Sequence, residues 1–476
     1  MESPEPPATI PLWSLTEDTL VEIGENGSLQ VMTRWGEFGV EDAGALAVES
    51  LRRMALGPVS LRNVTSGAQW LGEFSPGFLA LRRVLRQLSG SVVHSLGLQD
   101  GKRPLLSVIP IGPAPFFRPE PVDADRAIRL SRFAVLRAGE GGMLLESPDA
   151  PFLVLLSRPW AVRIASAFVE PCTIHDIVAD TGLGEELVTD AVRYLVAAGV
   201  VLLDGVGEGF AFAEDDDPDL RHWCHHELMF HARSRTRLAC GRPESARGPR
   251  ESAPPVVKPA PDGPRFSLPR PDLAAVADTP LTALLENDHV CPRFPEQPIT
   301  VAQLGELLYR GARVRSVGPA HLPAQESHEA SQRPYFSVAC LYELELYLTI
   351  DRCQGLPQGI YHYDPLGHSV TLINDAPADL AAVLDLAMVA GAGHRRPAAL
   401  ITVTARLERT SWALGGAAYS TALLHFGALQ QTLYLTGKAM GMSAHAVPLD
   451  AGDRVDRALK LTWPAEVALG ECVLSA

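Results

Sequence analysis

The side chains with the most capacity for chemistry crowd into one stretch, Arg221-His-Trp-Cys-His-His-Glu-Leu-Met-Phe-His-Ala-Arg-Ser-Arg235, which holds His222, Cys224, His225, His226 and His231. Imidazole and thiolate are ligands for zinc or iron. On a helix His222 and His226 would share a face, but His231 lies five residues further on and no carboxylate–histidine constellation accompanies them. The stretch is therefore read without a metal. The seven cysteines (172, 224, 240, 291, 340, 353 and 472) are scattered and contain no C-x-x-C pair. That spacing opposes a disulfide framework or zinc site and fits reduced thiols in a cytoplasmic protein.

Composition narrows the partners. The 476 residues carry a net charge of -15, which disfavours nucleic acid or an anionic membrane as the main partner. No apolar run approaches the roughly 18 residues of a membrane span, and the acidic start Met1-Glu-Ser-Pro-Glu5 is not followed by the apolar core of a signal peptide.

The elements that would position chemistry differ along the chain. Residues 1–156 read as an α+β region, with helical spacing over Val40 to Met54 and Pro76 to Leu96, a strand at Leu105 to Ile111 and a hairpin through Gly139-Glu-Gly-Gly142. Residues 157–236 read as a winged-helix-like module with a bridge behind it: helices over Pro159–Val169, Thr173–Asp180 and Glu185–Ala198, then a strand at Val200–Leu203. From Pro171 to Val200 there are five acids and one arginine, so the module is read as packing or peptide-docking rather than DNA-binding. Residues 237–278 form a proline-rich linker, with nine prolines between Gly241 and Asp272.

Residues 279–476 alternate helix and strand. Helices are expected near Thr279–Glu286, at Val301–Gly311 behind an N-cap at Thr300, at Asp379–Val389 and over the long span Ala417–Met440. Strands are expected at Ala398–Thr404 and Glu466–Leu474. The central one is Leu344–Ile350, where leucine and isoleucine alternate with Glu345, Tyr347 and Thr349. Before it stands the turn Arg333-Pro-Tyr-Phe-Ser-Val-Ala-Cys-Leu-Tyr342, and after it a hairpin that reverses at Asp364-Pro-Leu-Gly367.

Turn, strand and hairpin together resemble the flavin-binding core of the SagB-type (ThcOx, thiazoline/oxazoline) dehydrogenases within the FMN-dependent nitroreductase family. There the turn reads R-P-Y-P-S-G-G-A-L-Y, followed by E-L-Y and a G-x-Y-x-Y-D-P hairpin. The bridge fits as well: Trp223, His226 and Phe230 to Arg235 match a family stretch W-x-x-H-x-x-x-F-H-A-R-S-R. The resemblance implies an α+β chain whose C-terminal domain is a nitroreductase-like mixed sheet with a long central helix. It also implies subunits paired through that helix, with FMN between them, and Arg293, Ser337, Leu341 and Gln431 at cofactor-binding positions.

Against that pattern the sequence departs in register at four places. The opening R-R-S-x-R-x-F becomes Asp288-His-Val-Cys-Pro-Arg-Phe294, which keeps Arg293 but puts an aspartate where a phosphate would sit. Repulsion there is worth on the order of a kcal/mol or more at close range. The turn's paired glycines become Val338 and Ala339, adding bulk where backbone would approach the flavin ring. The motif W-K-Y-G-x-R-A-Y-R, whose lysine–tyrosine pair is the proposed base, becomes Trp412-Ala-Leu-Gly-Gly-Ala-Ala-Tyr-Ser420. Neither Ala413 nor Leu414 can move a proton. Finally G-H-x-x-Q-N-L-Y-L becomes Gly427-Ala-Leu-Gln-Gln-Thr-Leu-Tyr-Leu435, which keeps Gln431.

Two functions follow from the resemblance, both in azole (thiazole/oxazole) ribosomal peptide biosynthesis. In the favoured one the chain is a catalytically degenerate subunit that binds FMN weakly or not at all. It would form a homodimer, or a heterodimer with a paralogous active dehydrogenase, or join a cyclodehydratase complex acting on an azoline-bearing peptide. In the alternative it is an active FMN-dependent azoline dehydrogenase that uses another base, such as His289, His445 or a water.

Overall fold

The computed structural model describes residues 8–24, 28–41, 43–64, 76–112, 115–205, 212–234, 254–287, 294, 296–320, 328–449 and 453–476. The chain divides into two compact units, in the main Met1–Arg233 and Arg250–Ala476. No helix of the described residues is long and apolar enough to cross a membrane.

In the first unit a six-stranded antiparallel sheet runs in the order 9–15, 92–98, 106–110, 152–156, 142–146, 135–139. The expected hairpin at Gly139–Gly142 closes two of its strands. One expectation is corrected here. The helix from Pro76 ends at Gln87, and Val92–Leu98 is a strand paired with Thr9–Leu15. Ser89-Gly90-Ser91 breaks the helical register, and pairing with a distant strand outweighs the apolar spacing that continues through Leu96. Likewise the first expected helix spans Ala45–Met54, and Val40 belongs to a preceding strand.

The helices at Pro159–Ser166, Ile174–Thr181 and Glu185–Ala197 lie where periodicity placed them. Thr173 and Asp176 form a reciprocal capping box at the start of the second, and Gly182 ends it in the left-handed conformation. The strand Val201–Leu203 pairs antiparallel with Ile128–Leu130. One apolar core, including Val154, Ile164, Ile177, Leu187 and Leu195, runs from the sheet through all three helices.

The second unit is built on a seven-stranded sheet in the order 265–267, 369–374, 359–364, 344–350, 399–406, 466–475, 443–447. Every neighbouring pair in it is antiparallel, which corrects the expectation of a mixed sheet. Tight reversals such as Asp364–Gly367 favour antiparallel neighbours, whereas a parallel pair needs a longer crossover. Among the described residues the parallel pairing of this unit is confined to Ile299–Thr300 with Cys353–Gln354. Thr300 then caps the helix Val301–Gly311 through a capping box with Gln303.

Leu344–Ile350 is buried at all seven positions. Alternation with Glu345, Tyr347 and Thr349 predicts one solvated face, but both faces are covered. Leucines of this strand pack with Leu304, Leu307, Leu429 and Leu433 of two helices on one side. On the other, Tyr347 joins Val383, Leu384 and Ala387 of the helix Pro377–Ala390. The polar residues of the strand are therefore interior groups and require interior partners.

Of the segment expected as a linker, residues from Pro254 on are packed into this unit. Arg265–Ser267 is its edge strand, and Pro254, Val256 and Leu268 are buried. The earlier part of that segment, to residue 253, lies outside the described residues.

Candidate functional site

The turn before the central strand holds the candidate site. Ala339, Cys340 and Tyr342 have φ of 52, 55 and 47°, the left-handed region that glycine enters without cost. Ala339 stands at a glycine of the family pattern. Left-handed backbone at residues that carry a Cβ costs roughly 1 kcal/mol or more per residue. Something must offset that cost.

Much of the offset is visible as hydrogen bonding within the turn. The Tyr342 N–H donates to the Ser337 hydroxyl at 3.1 Å, and the Tyr342 hydroxyl donates to the Tyr335 carbonyl at 3.1 Å. Two side chains from elsewhere grip its ends. The Val338 N–H donates to Nε2 of His425 at 2.7 Å, and the Arg409 guanidinium donates to the Leu341 carbonyl. His425 belongs to the long helix Ala418–Ala439, and its Nδ1 lies 2.8 Å from Glu343. Arg409 belongs to the helix Leu407–Leu414 and also donates to the carbonyls of Pro254 and Glu329. Burial, then the nearby Arg406 and Arg333, bring the Arg409 pKa down to about 10.

The positions read as replaced catalytic residues meet this turn. Leu341, Ala413 and Leu414 are buried in one small apolar cluster, with Ala339, Trp412 and Ala417 packed around it. The structure therefore brings Leu341, Ala413 and Leu414 together beside Ser337, whose hydroxyl is already engaged. Gln431 is not part of this group: it lies on the exposed face of the long helix, away from the buried stripe of Ala422, His425, Leu429 and Leu433. Arg293, with Asp288, His289 and Val290, lies outside the described residues. His445 sits in the edge strand Ser443–Val447, its ring against Tyr434 at 6.2 Å between centroids.

The described groups of this turn offer FMN little to bind. Ala413 and Leu414 present a methyl and an isobutyl group, packed against the turn. The turn's Val338 N–H and Leu341 carbonyl are both occupied by side chains of the same chain.

Behind the turn lies a buried polar network that the sequence reading missed. Glu345 meets His362 Nε2 at 3.1 Å and Arg406 Nε at 2.8 Å. Burial raises the Glu345 pKa, but the His362 hydrogen bond and the Arg406 charge outweigh it, and the carboxyl stays below its ordinary range. Glu466 accepts from the Tyr347 hydroxyl at 3.1 Å and pairs with Lys258. Arg333 and Arg406 donate to the carbonyls of Val256 and Pro255. With Arg409 on Pro254, three successive carbonyls each receive a different arginine. The available signal was Glu343 and Glu345 in an otherwise leucine-rich strand, and His425 spaced three residues after Ala422 and four before Leu429.

The histidine-rich stretch forms a short turn at Leu220–His222 and a helix at His225–Ser234. Cys224 Sγ donates to Glu227 at 2.6 Å, and the Trp223 and His231 rings are 5.5 Å apart. Among the described residues no group of three potential ligands is placed to hold a metal ion.

Residues 128–239 match the family model of the cyanobactin oxidase ThcOx. That match falls on the three-helix module and bridge, not on the turn and long helix. No curated protein matches the chain. Among solved structures, a putative nitroreductase from Anabaena variabilis is 18% identical over 52% of this chain, with a TM-score of 0.38. The chain spans 45% of that protein's length. A putative nitroreductase from Ralstonia eutropha is 19% identical, covering 48% of this chain and 97% of its own, with a TM-score of 0.34. The E. coli microcin synthetase McbBCD complex with truncated pro-MccB17 bound is 18% identical, covering 44% and 77%, with a TM-score of 0.33. Residues 128–239 are thus similar to the cyanobactin oxidase ThcOx, and the motifs between Arg333 and Leu435 resemble those of SagB-type, nitroreductase-like dehydrogenases.

Proposed function

We propose that this chain is a non-catalytic SagB-type subunit in azole ribosomal peptide biosynthesis, partnering an active dehydrogenase or its modification complex. The observation that carries the reading is the apolar closure of the site. Ala413 and Leu414, at the positions of the family's proton-moving pair, are buried with Leu341. Hydride transfer to a flavin needs a base aligned on the leaving proton, and neither a methyl nor an isobutyl group can take one.

The long helix supplies the pairing surface in this reading. Tyr419 and Leu424 are exposed along it, at 41% and 58%, next to Gly427 and Gln431 on the same open face. A paralogous dehydrogenase with its lysine–tyrosine pair intact would cover that face, and the three-helix module would dock peptide. FMN would bind weakly or not at all to this chain alone.

The test is spectroscopic and kinetic. The purified chain is expected to be colourless and to leave an azoline peptide unoxidised with added FMN, yet to co-elute with an intact paralogue. Stoichiometric flavin and robust turnover by the unmixed protein would overturn the reading in favour of an active azoline dehydrogenase.

A further inference from the structure

The turn 337–341 is gripped by two buried side chains that lie in none of the motifs carrying the family resemblance. His425 is 0% exposed, as are Glu343 and Arg409. Because the Val338 N–H donates to Nε2, that nitrogen must be the acceptor, so the imidazole proton sits on Nδ1 and is donated to Glu343. The carboxylate fixes the ring's tautomer, and the ring fixes the backbone. At the other end Arg409 spans three backbone carbonyls, Leu341, Pro254 and Glu329, from three separate segments. Between the two grips stand Ala339 and Cys340, both left-handed without being glycine.

We propose that Glu343–His425 and Arg409 form a clamp of positioning residues that holds this turn in its left-handed shape. The clamp does by hydrogen bonding what glycine does by lacking a Cβ. It spends on the protein's own side chains the N–H of Val338 and the carbonyl of Leu341. The inference rests on the reading of 337–341 as the flavin-facing turn only for its functional meaning. The clamp itself stands on geometry.

Local amide exchange in the full-length protein tests it, with the strand Ala399–Arg406 as internal reference. His425→Phe removes the acceptor, and exchange over 337–341 should rise by about tenfold or more, the loss of one hydrogen bond, while the reference strand stays protected. His425→Gln should restore protection to within about threefold, because one amide presents both an acceptor and a donor. If His425→Phe fails to fold because Glu343 is left buried and unpaired, Glu343→Leu with His425→Phe removes both groups and should show the same local rise. Unchanged exchange at 337–341 on removing the imidazole, or a Gln variant as fast as the Phe variant, overturns the clamp. The functional reading is tested separately in the wild type. If excess FMN protects a segment elsewhere and leaves 337–341 unaffected, the turn is not flavin-facing, although the clamp stands.

Discussion

His425 Nδ1 lies 2.8 Å from a carboxylate oxygen of Glu343, and both side chains are fully shielded from solvent. The pair joins the long helix to the base of the central strand and, through His425 Nε2, to the turn between them. Buried groups of this kind are tolerated only when each is satisfied, so removing one partner costs more than the pair itself contributes.

On the non-catalytic reading proposed above, Ala413→Lys with Leu414→Tyr will not confer azoline oxidation, since catalytic groups act as a unit. Activity would also require Asp288, His289 and Val290 to be returned to Arg, Arg and Ser. The double substitution should destabilise the fold by about 2–4 kcal/mol, because an ammonium and a larger ring enter a closed apolar cluster. Chemical denaturation and a peptide mass assay read the two outcomes. Restored oxidation by the double variant alone would refute this account of the site.

Arg409→Met is expected to lower stability by about 2–4 kcal/mol, since it strands three backbone carbonyls at once. Arg409→Lys should recover only part, because an ammonium lacks the planar fork that reaches them together. Urea unfolding midpoints provide the measurement, and a loss below about 0.5 kcal/mol for Met would contradict the structure.

Glu471 provides a pH signature. Burial, assisted by Asp456, pushes its carboxyl up to about 7 from 4.5. The folded protein holds a proton that the unfolded chain releases first. This group's contribution is therefore most favourable below pH 4.5, declines as pH rises towards 7, and is level above it. Glu471→Gln should flatten that part of the profile and raise stability at pH 8 by about 1–3 kcal/mol. Identical wild-type and variant slopes between pH 5 and pH 7 would show that the shift is absent.

The three-helix module should not retain duplex DNA. Its acidic helices lack the cations that release counterions from phosphate, so any weak binding should show little dependence on salt. Micromolar affinity that falls steeply with added salt would reverse the peptide-docking reading.

Local physics made much of this legible from residues alone. Thr300 ahead of Val301–Gly311, the apolar period over Glu185–Ala197, and Asp364–Gly367 between two β-rich runs each specify their element through neighbours a few positions away. Tertiary structure decided the rest, because it depended on what covers a surface. Glu345, Tyr347 and Thr349 alternate with leucines, yet all are buried, Tyr347 against helix Pro377–Ala390 and Glu345 beside His362 and Arg406. Val92–Leu98 continues a helical spacing until Thr9–Leu15 pairs with it. His425 and Glu343 stand 82 residues apart, and Arg409 and Pro254 stand 155 apart, so no local pattern could announce that they meet.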